Sequence, residues 1–587
     1  MAKVRFFFSA GGGREIDLPP GATILQGART LGIDLGAICN ARGRCGHCRV
    51  QVVGDFSPPT PEERRLLTRD QLDQGIRLAC QTKINGPAQV YLSPRPLGEG
   101  QILIDGSPRE IPLDPGWQKI KSQIRQPSLT DLDGLYERLP GAYQLSLHQL
   151  RQLPTLTDGE LTITSCDGQV LALEAGDTTA HLYGLAFDLG TTTVVGSLVD
   201  LRTGRELAVA GAPNGQALYG ADVLSRIQYA VENPDGLVKL QKAILATLNG
   251  ICDQLCQRTG IDARWIYGAT MAGNTCMQHL LLGVDPGSLG VAPYVPVWCS
   301  PLSCSAGELG LAINPQGRVF CLPHIAGFVG ADTVAVMLAT DLMNVQEPTL
   351  VIDIGTNGEI VLAGKGQIWA CSTAAGPAFE GAQISCGMAG LPGAIERVDF
   401  IDGEVSYQVI GGGEARGICG SGLVDVVAGL LEEGLLEPSG RLLDPTEHPH
   451  GGLVEGPAFS LAPGVAITQR DIRELQLAKG AIYAGIQILL GEARLKPQQI
   501  ILAGAFGSYL RREKALALGL FPPLPLEKIN TVGNAARIGA QMALLSQPLR
   551  QQAQELARQV HYVELAGRPD FQMEFAQAMF FPGEEEY

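Results

Sequence analysis

Two distant segments of this chain follow one plan. FDLGTTTVVGSLVDL (187–201) and IDIGTNGEIVLAG (352–364) each read as an apolar strand, then Asp, Gly and Thr, a tight turn, and a second apolar strand. Recurrence of such a unit implies a duplicated fold. Around both copies, strands such as YGLAFDLG, TLVIDIG and QIILAGAFG alternate with helical patterns such as GLVDVVAGLLEEGLL. That alternation predicts an α/β architecture with two subdomains from residue 183 to 587. The whole chain has 587 residues, too many for one hydrophobic core, so further units must precede the repeat.

Each copy puts a carboxylate at a strand end and follows it with a turn of small residues. In the first, the backbone N–H groups and hydroxyls of Gly190, Thr191, Thr192 and Thr193 can hold phosphate oxygens, while Asp188 can hold Mg²⁺ through water. In the second, Asp353 with Gly355, Thr356, Asn357 and Gly358 repeats the device from the other half. A single D-x-G-T motif is usually no more than a hairpin turn. Two at corresponding positions are specific when Gly-rich strand ends follow, and they do. ICGSGLVD (418–425) carries Gly420, Ser421 and Gly422, and ILAGAFGSYL (501–510) carries Gly504 and Gly507, where side chains would block a nucleotide.

This set resembles the acetate and sugar kinase, heat-shock chaperone and actin superfamily of ATPases, the RNase H-like duplicated fold. Asp188, Gly190 and Thr191 fall on its first phosphate motif, and Asp353, Gly355 and Thr356 on its second. Gly504 and Gly507 fall on its adenosine motif, although Ala505 and Phe506 interrupt the usual adjacent glycines. VGNAARIGA (532–540) is similar to its last connecting helix. The resemblance implies bound ATP with Mg²⁺, and it implies that Asp188, Asp353 and Glu359 or Glu380 position the metal and the attacking water. Which carboxylate acts as base is left open.

Near the other end, CNARGRCGHCRV (39–50) puts Cys39, Cys45 and Cys48 in a tight Gly-containing loop, with Cys80 further on in RLACQ. Four thiolates suffice for a [2Fe–2S] cluster, and glycines such as Gly43 and Gly46 let loop N–H groups turn toward its sulfides. Zinc is the competing reading, along with unrelated thiols. Zinc prefers paired C-x2-C knuckles, and only one pair exists here. The C-x5-C-x2-C spacing is one residue longer than the plant type and resembles the vertebrate-type and related bacterial ferredoxins, as does RLACQ around their fourth ligand. His47 reads as a solvent-facing loop residue, and the ten other cysteines, scattered from 166 to 419, read as buried thiols. VRFFF and EIDLP suggest a hairpin and TILQGARTLGI a helix, so residues 1–94 form a β-grasp ferredoxin unit.

Between these parts, Pro and Gly recur over 95–125, which reads as a linker. Residues 126–182, with the helical pattern LTDLDGLYERL and strand-like ELTITSC and VLALEAG, read as a small α+β middle domain. The fold class is therefore multidomain, α/β and α+β. A net charge of −16 argues against nucleic acid, and no uncharged apolar run has the length of a membrane span. The N-terminus lacks an export pattern, so the expected location is cytoplasmic, where cysteines stay as thiols or metal ligands.

Taken together, this combination resembles the reductive activators of corrinoid proteins. PNGQALYGADVLSRI (213–227), MAGNTCMQHLLLG (271–283), LPHIAGFVGADTVA (322–335) and GPAFEGAQISCGM (376–388) look like that family's recurring segments; by themselves they say only Gly-rich turns leading into helices. The resemblance implies ATP-dependent electron transfer from the cluster to a low-potential acceptor: a corrinoid protein whose Co(II) is returned to Co(I), with a low-potential donor upstream. Three alternatives stay open: a redox-controlled nucleotide-binding module, a small-molecule kinase with a redox switch, and a non-corrinoid acceptor. The oligomeric state, homodimer included, is also open.

Overall fold

The computed structural model describes residues 1–7, 13–33, 35, 37, 41–43, 46, 48–92, 110–125, 128–139, 141, 143–156, 160–355, 357–381, 383–401, 404–443 and 458–583. The N-terminal unit is a five-stranded sheet built from β1 (Ala2–Phe7), β2 (Gly13–Leu18), β3 (Arg49–Phe56), β4 (Ile76–Leu78) and β5 (Ile84–Tyr91), in the order β2-β1-β5-β3-β4. β1 and β2 are the expected antiparallel hairpin, and β1 runs parallel to β5. Alternation along β1 points Val4 and Phe6 inward, against Ile24, Leu25 and Ala28 of the helix Ile24–Thr30. A capping box between Thr23 and Gln26 starts that helix. One helix laid on a mixed sheet is the β-grasp arrangement. Cys80 lies in the turn between β4 and β5.

A three-stranded antiparallel sheet follows: β6 (Trp117–Gln123), β7 (Glu160–Cys166) and β8 (Gln169–Ala175). Residues 117–123 thus form a strand inside the stretch read as linker; what makes them a strand is pairing with β7, a long-range partner that local Pro and Gly content does not report. The helix expected over 129–139 is also absent, and turns take its place. There the buried Arg138 guanidinium donates to the Asp131 carboxylate and to the backbone carbonyls of Asp131 and Asp133, bonds that compete with a helical ladder.

The repeat is visible in the sheets of the two lobes. In the first lobe β9 (Tyr183–Leu189), β10 (Thr193–Asp200) and β11 (Glu206–Pro213) form an antiparallel meander. β12 (Ile266–Gly273) then adds parallel to β9, β13 (Leu302–Ser305) lies at the edge, and β14 (Arg318–Cys321) adds parallel to β12. In the second, β15 (Thr349–Ile354), β16 (Gly358–Gly364) and β17 (Gln367–Thr373) form the same meander. Outside this sheet lie the strands β18 (Ala394–Ile401), β19 (Glu404–Val409), β20 (Gly417–Ile418), β21 (Ala458–Ala462) and β22 (Val465–Thr468). β23 (Gln499–Ala503) then adds parallel to β15 and β24 (Ile529–Thr531) parallel to β23, while β25 (Val560–Tyr562) joins the far edge on β17. The orders β11-β10-β9-β12-β14 and β17-β16-β15-β23-β24 correspond strand for strand.

The helices Ala331–Ala339 and Ala535–Leu545 join the lobes through one shared core. It takes Ala186, Val199 and Ala272 from the first sheet and Val351, Val361 and Ile501 from the second. Gly539 permits the contact: a Cβ there would lie 1.9 Å from the Ala335 carbonyl oxygen. Among the described residues no helix is long and apolar enough to cross a membrane.

Candidate nucleotide and cluster sites

The duplicated topology brings the two turns face to face. Asp188 lies near the C-terminal end of β9 and Asp353 near that of β15, and each turn follows directly. Three neighbouring segments hold the first turn. The Asn214 side chain donates to the Gly190 carbonyl at 2.9 Å, and its backbone N–H donates to the Thr192 carbonyl at 2.9 Å. Arg226, fully buried, donates to the Thr191 carbonyl at 2.6 Å, and the Asn274 side chain donates to the Thr191 hydroxyl at 3.0 Å. With their carbonyls turned to these donors, residues 190–192 leave their own N–H groups for another acceptor. Burial pulls the Arg226 guanidinium down to about 10, which still leaves it charged at neutral pH. Across the cleft, the Thr192 hydroxyl donates to Glu380 at 3.3 Å, a link between the lobes.

Four carboxylates converge on the cleft: Asp188, Asp353, Glu359 and Asp332. Asp353 and Glu359 are opposite each other on β15 and β16. Asp332, missed in the sequence, enters on the first turn of the 331–339 helix. All four keep some surface open to the cleft while protein surrounds them. Asp188 is pushed up to about 7, first by burial and then by the Asp332 charge, against the hydrogen bond it accepts from Asn534 at 3.0 Å. Burial, then Asp332 and Asp188, also raise Asp353 to about 7; burial raises Asp332 to about 6. Glu359 rises well above its ordinary range through burial and the charges of Asp332 and Asp353. No ion pair among the described residues neutralises the four. A set of mutually repelling carboxylates is relieved by a cation, so the donor set fits a divalent metal. Among the described residues no three acidic, His or Cys side chains converge tightly enough to hold an ion directly, which fits carboxylates acting through metal-bound water.

The glycines of this region have reasons the sequence did not separate. Gly504 sits at a φ of +81°, and a Cβ there would lie 2.3 Å from Asp353 Oδ1. Gly420 and Gly422 were expected to clear a nucleotide. In the fold they clear backbone: a Cβ would meet the Phe379 carbonyl at 1.9 Å and the Ile395 carbonyl at 2.4 Å. Ser421 likewise donates to the Glu396 carbonyl, at 2.9 Å. What this stretch offers a ligand is the start of the helix Gly420–Glu432, whose Cys419 N-cap makes no side-chain cap. Gly507 packs against Leu502. Gly355 donates its N–H to the Asn357 carbonyl at 2.9 Å and closes the second turn, Gly358 begins β16, and Thr356 lies outside the described residues.

In the N-terminal unit Cys48 and Cys80 are both buried, and the Ala79 N–H donates to the Cys48 carbonyl at 2.8 Å, which ties the two cysteine segments together. Cys39, Cys45 and His47 lie outside the described residues. Gly43 and Gly46 take left-handed φ values of 65° and 71°, the conformation that turns loop N–H groups inward. Gln81 donates to the Ala41 carbonyl at 2.8 Å and toward Cys80 Sγ at 3.5 Å, so its amide offers an N–H to sulfur, an interaction that would stabilise a thiolate-held cluster. Beneath it the buried Glu63 accepts from Arg77, from the Leu78 N–H at 2.9 Å and from the Thr82 hydroxyl at 3.0 Å, bracketing Cys80. Of the ten other cysteines, Cys166, Cys252, Cys276, Cys321, Cys371 and Cys419 are buried; Cys256, Cys304 and Cys386 are half-buried and Cys299 is exposed, so the expectation of buried thiols fails at Cys299.

Known proteins share this arrangement in full. The corrinoid activation enzyme RamQ of Eubacterium limosum is 33% identical over 586 residues, covering 95% of this chain and 96% of its own. The chain belongs to the family of reductive activators of corrinoid proteins. The solved structure of a reductive activator for corrinoid, iron-sulfur protein matches with a TM-score of 0.72 at 34% identity, over 99% of this chain and 98% of that one. The [Co(II) methylated amine-specific corrinoid protein] reductase of Methanosarcina barkeri is 30% identical over 415 residues, 65% of this activator and 73% of its own length. Family models agree by segment: a 2Fe-2S iron-sulfur cluster binding domain over 7–85, the RACo middle region over 183–345, and the C-terminal domain of RACo, the ASKHA domain, over 347–587. The family's middle region is therefore the first lobe.

Proposed function

We propose that this activator uses ATP to drive single-electron reduction of a corrinoid protein, returning its Co(II) to Co(I). The observation that carries the reading is one chain holding both a four-carboxylate cleft between duplicated lobes and a ferredoxin unit in which Cys48 and Cys80 are buried on segments tied by a backbone hydrogen bond and Gln81 donates toward Cys80 Sγ. The printed names of the relatives, an activation enzyme and a Co(II) corrinoid protein reductase, favour the same acceptor.

Cys48 and Cys80, with Cys39 and Cys45, would hold the [2Fe–2S] cluster, which would supply one electron at low potential. Each 100 mV that the acceptor lies below the donor costs about 2.3 kcal/mol per electron. The lobes provide the drive. N–H groups of 190–192 take phosphate oxygens, Asp188 and Asp353 order metal-bound water, and Asp332, Glu359 or Glu380 orients the water that attacks, giving ADP and phosphate. For this to help the electron, nucleotide must favour one of two arrangements in which the acceptor is easier to reduce; equal affinity for both would shift nothing. The helices 331–339 and 535–545, packed through Gly539, join the two lobes.

The test is anaerobic ATP hydrolysis with and without a purified corrinoid protein held as Co(II). Hydrolysis should rise when the Co(II) form is added. An identical rate with and without it would contradict the reading.

A further inference from the structure

We propose that the helix Val223–Glu232 couples the phosphate hairpin to the cluster-bearing unit, so that phosphate binding steadies that unit on the first lobe. The proposal rests on the reading of residues 188–193 as a phosphate site. At one end the helix grips the hairpin through buried Arg226, which donates to the Thr191 carbonyl at 2.6 Å, to the Gly220 carbonyl at 2.9 Å and to Gln216 Oε1 at 3.2 Å. Within the same helical turn, two neighbouring residues meet the N-terminal unit. Gln228 accepts from Arg42 at 2.7 Å, and the Arg29 guanidinium lies 6.0 Å from the Tyr229 ring centroid.

Both arginines are well placed to report on the cluster. Arg42 lies inside the loop between Cys39 and Cys45, and Arg29 ends the helix that packs on the sheet of the same unit. Tyr229 in turn packs on Tyr219, ring centroids 5.0 Å apart, in the segment that also supplies Asn214 to the hairpin. Residues 214–229 thus touch the phosphate turn at three carbonyls and the cluster unit at two side chains. A rigid helix cannot shift Arg226 without shifting Gln228 and Tyr229, because a whole turn rises only about 5.4 Å.

The same contacts set the sign. With the cluster unit docked, Arg226 is held where it draws the Thr191 carbonyl away from the side on which phosphate would sit, so docking and phosphate binding reinforce each other. By linkage, whatever weakens docking must weaken nucleotide binding by the same factor.

The experiment measures the Kd of a non-hydrolysable ATP analogue with Mg²⁺ on the full cluster-loaded chain by calorimetry. It compares wild type, Arg42→Ala, Gln228→Ala and the double variant. Arg42 is exposed and Gln228 half-buried, and neither touches Asp188, Asp332, Asp353 or Glu359, so the variants should fold. Each single variant should raise Kd about fivefold, the low end of typical coupling, and the double variant no further, since both remove one interaction. In parallel, amide exchange over residues 24–33 should slow on adding the analogue to wild type and not respond in Gln228→Ala. Variants that bind within twofold of wild type, or more tightly, overturn the coupling. A wild type that binds no analogue overturns the phosphate reading itself, a distinct result.

Discussion

Replacing Asp353 by Asn removes one negative charge from the cleft and keeps the shape of the side chain. The structure sets the expected size of the effect. Burial, then the charges of Asp332 and Asp188, carry the Asp353 carboxyl from an ordinary 3.8 to about 7. Holding it ionised in the folded protein then costs roughly 4 kcal/mol above pH 7, and water entering the cleft brings the recoverable part to about 1–3 kcal/mol. Asp353→Asn should therefore melt roughly 1–6 °C above wild type in the absence of nucleotide and metal, while hydrolysing ATP orders of magnitude more slowly. The sign with pH follows from a folded value raised above the unfolded one. Stability from Asp353 is full below about 3.8 and is lost as pH rises to about 7, so the gap between variant and wild type should be roughly 40% of its full size at pH 5, open toward pH 7 and stay level above it. Calorimetric melting at pH 5, 6, 7 and 8 reads this directly. A variant that melts at or below wild type at pH 8, or a gap that does not change with pH, would refute the argument that burial, with the neighbouring charges, makes the ionised Asp353 costly in the fold.

Two further outcomes follow from other contacts. Glu63→Ala leaves the buried Arg77 without its carboxylate and strips the Leu78 N–H and Thr82 hydroxyl beside Cys80; the N-terminal unit should lose about 3–5 kcal/mol, seen as loss of the cluster's visible absorption at lower guanidinium concentration, and an unchanged midpoint would count against the buttress. Gly504→Ala forces a left-handed φ on alanine and a Cβ against Asp353, so it should cut ATP hydrolysis at least about tenfold and cost about 1–3 kcal/mol of stability, with normal turnover as the contrary result.

The parts of this fold legible in the sequence were those where chemistry repeats or punctuates. Two D-x-G-T turns announced the duplicated sheets, and cysteine spacing announced the N-terminal unit. Long-range pairing was less legible: β6 looked like linker because its partner β7 lies far along the chain, and 129–139 looked helical because its apolar spacing hides the bonds Arg138 makes to Asp131 and Asp133. In the cleft the motif carboxylates were found, but Asp332, Asn534, Arg226, Asn214 and Asn274 were not. Each lies in a Gly-rich stretch that sequence alone reads as a turn before a helix, and only folding shows that these turns meet at one pair of hairpins. At Gly420 and Gly422 the sequence did not show that neighbouring backbone, the Phe379 and Ile395 carbonyls, already rules out a side chain.

Whether ATP drives the electron to cobalt is read directly by the visible absorption of Co(I) against Co(II) under strict anaerobiosis. The full chain with a low-potential donor and MgATP should convert a Co(II) corrinoid protein to Co(I). Without nucleotide the same chain should be slow; Asp353→Asn, with its cluster intact, should stay slow with MgATP, and Cys80→Ser should form none. Equal Co(I) from wild type without nucleotide, or from Asp353→Asn, would contradict the account.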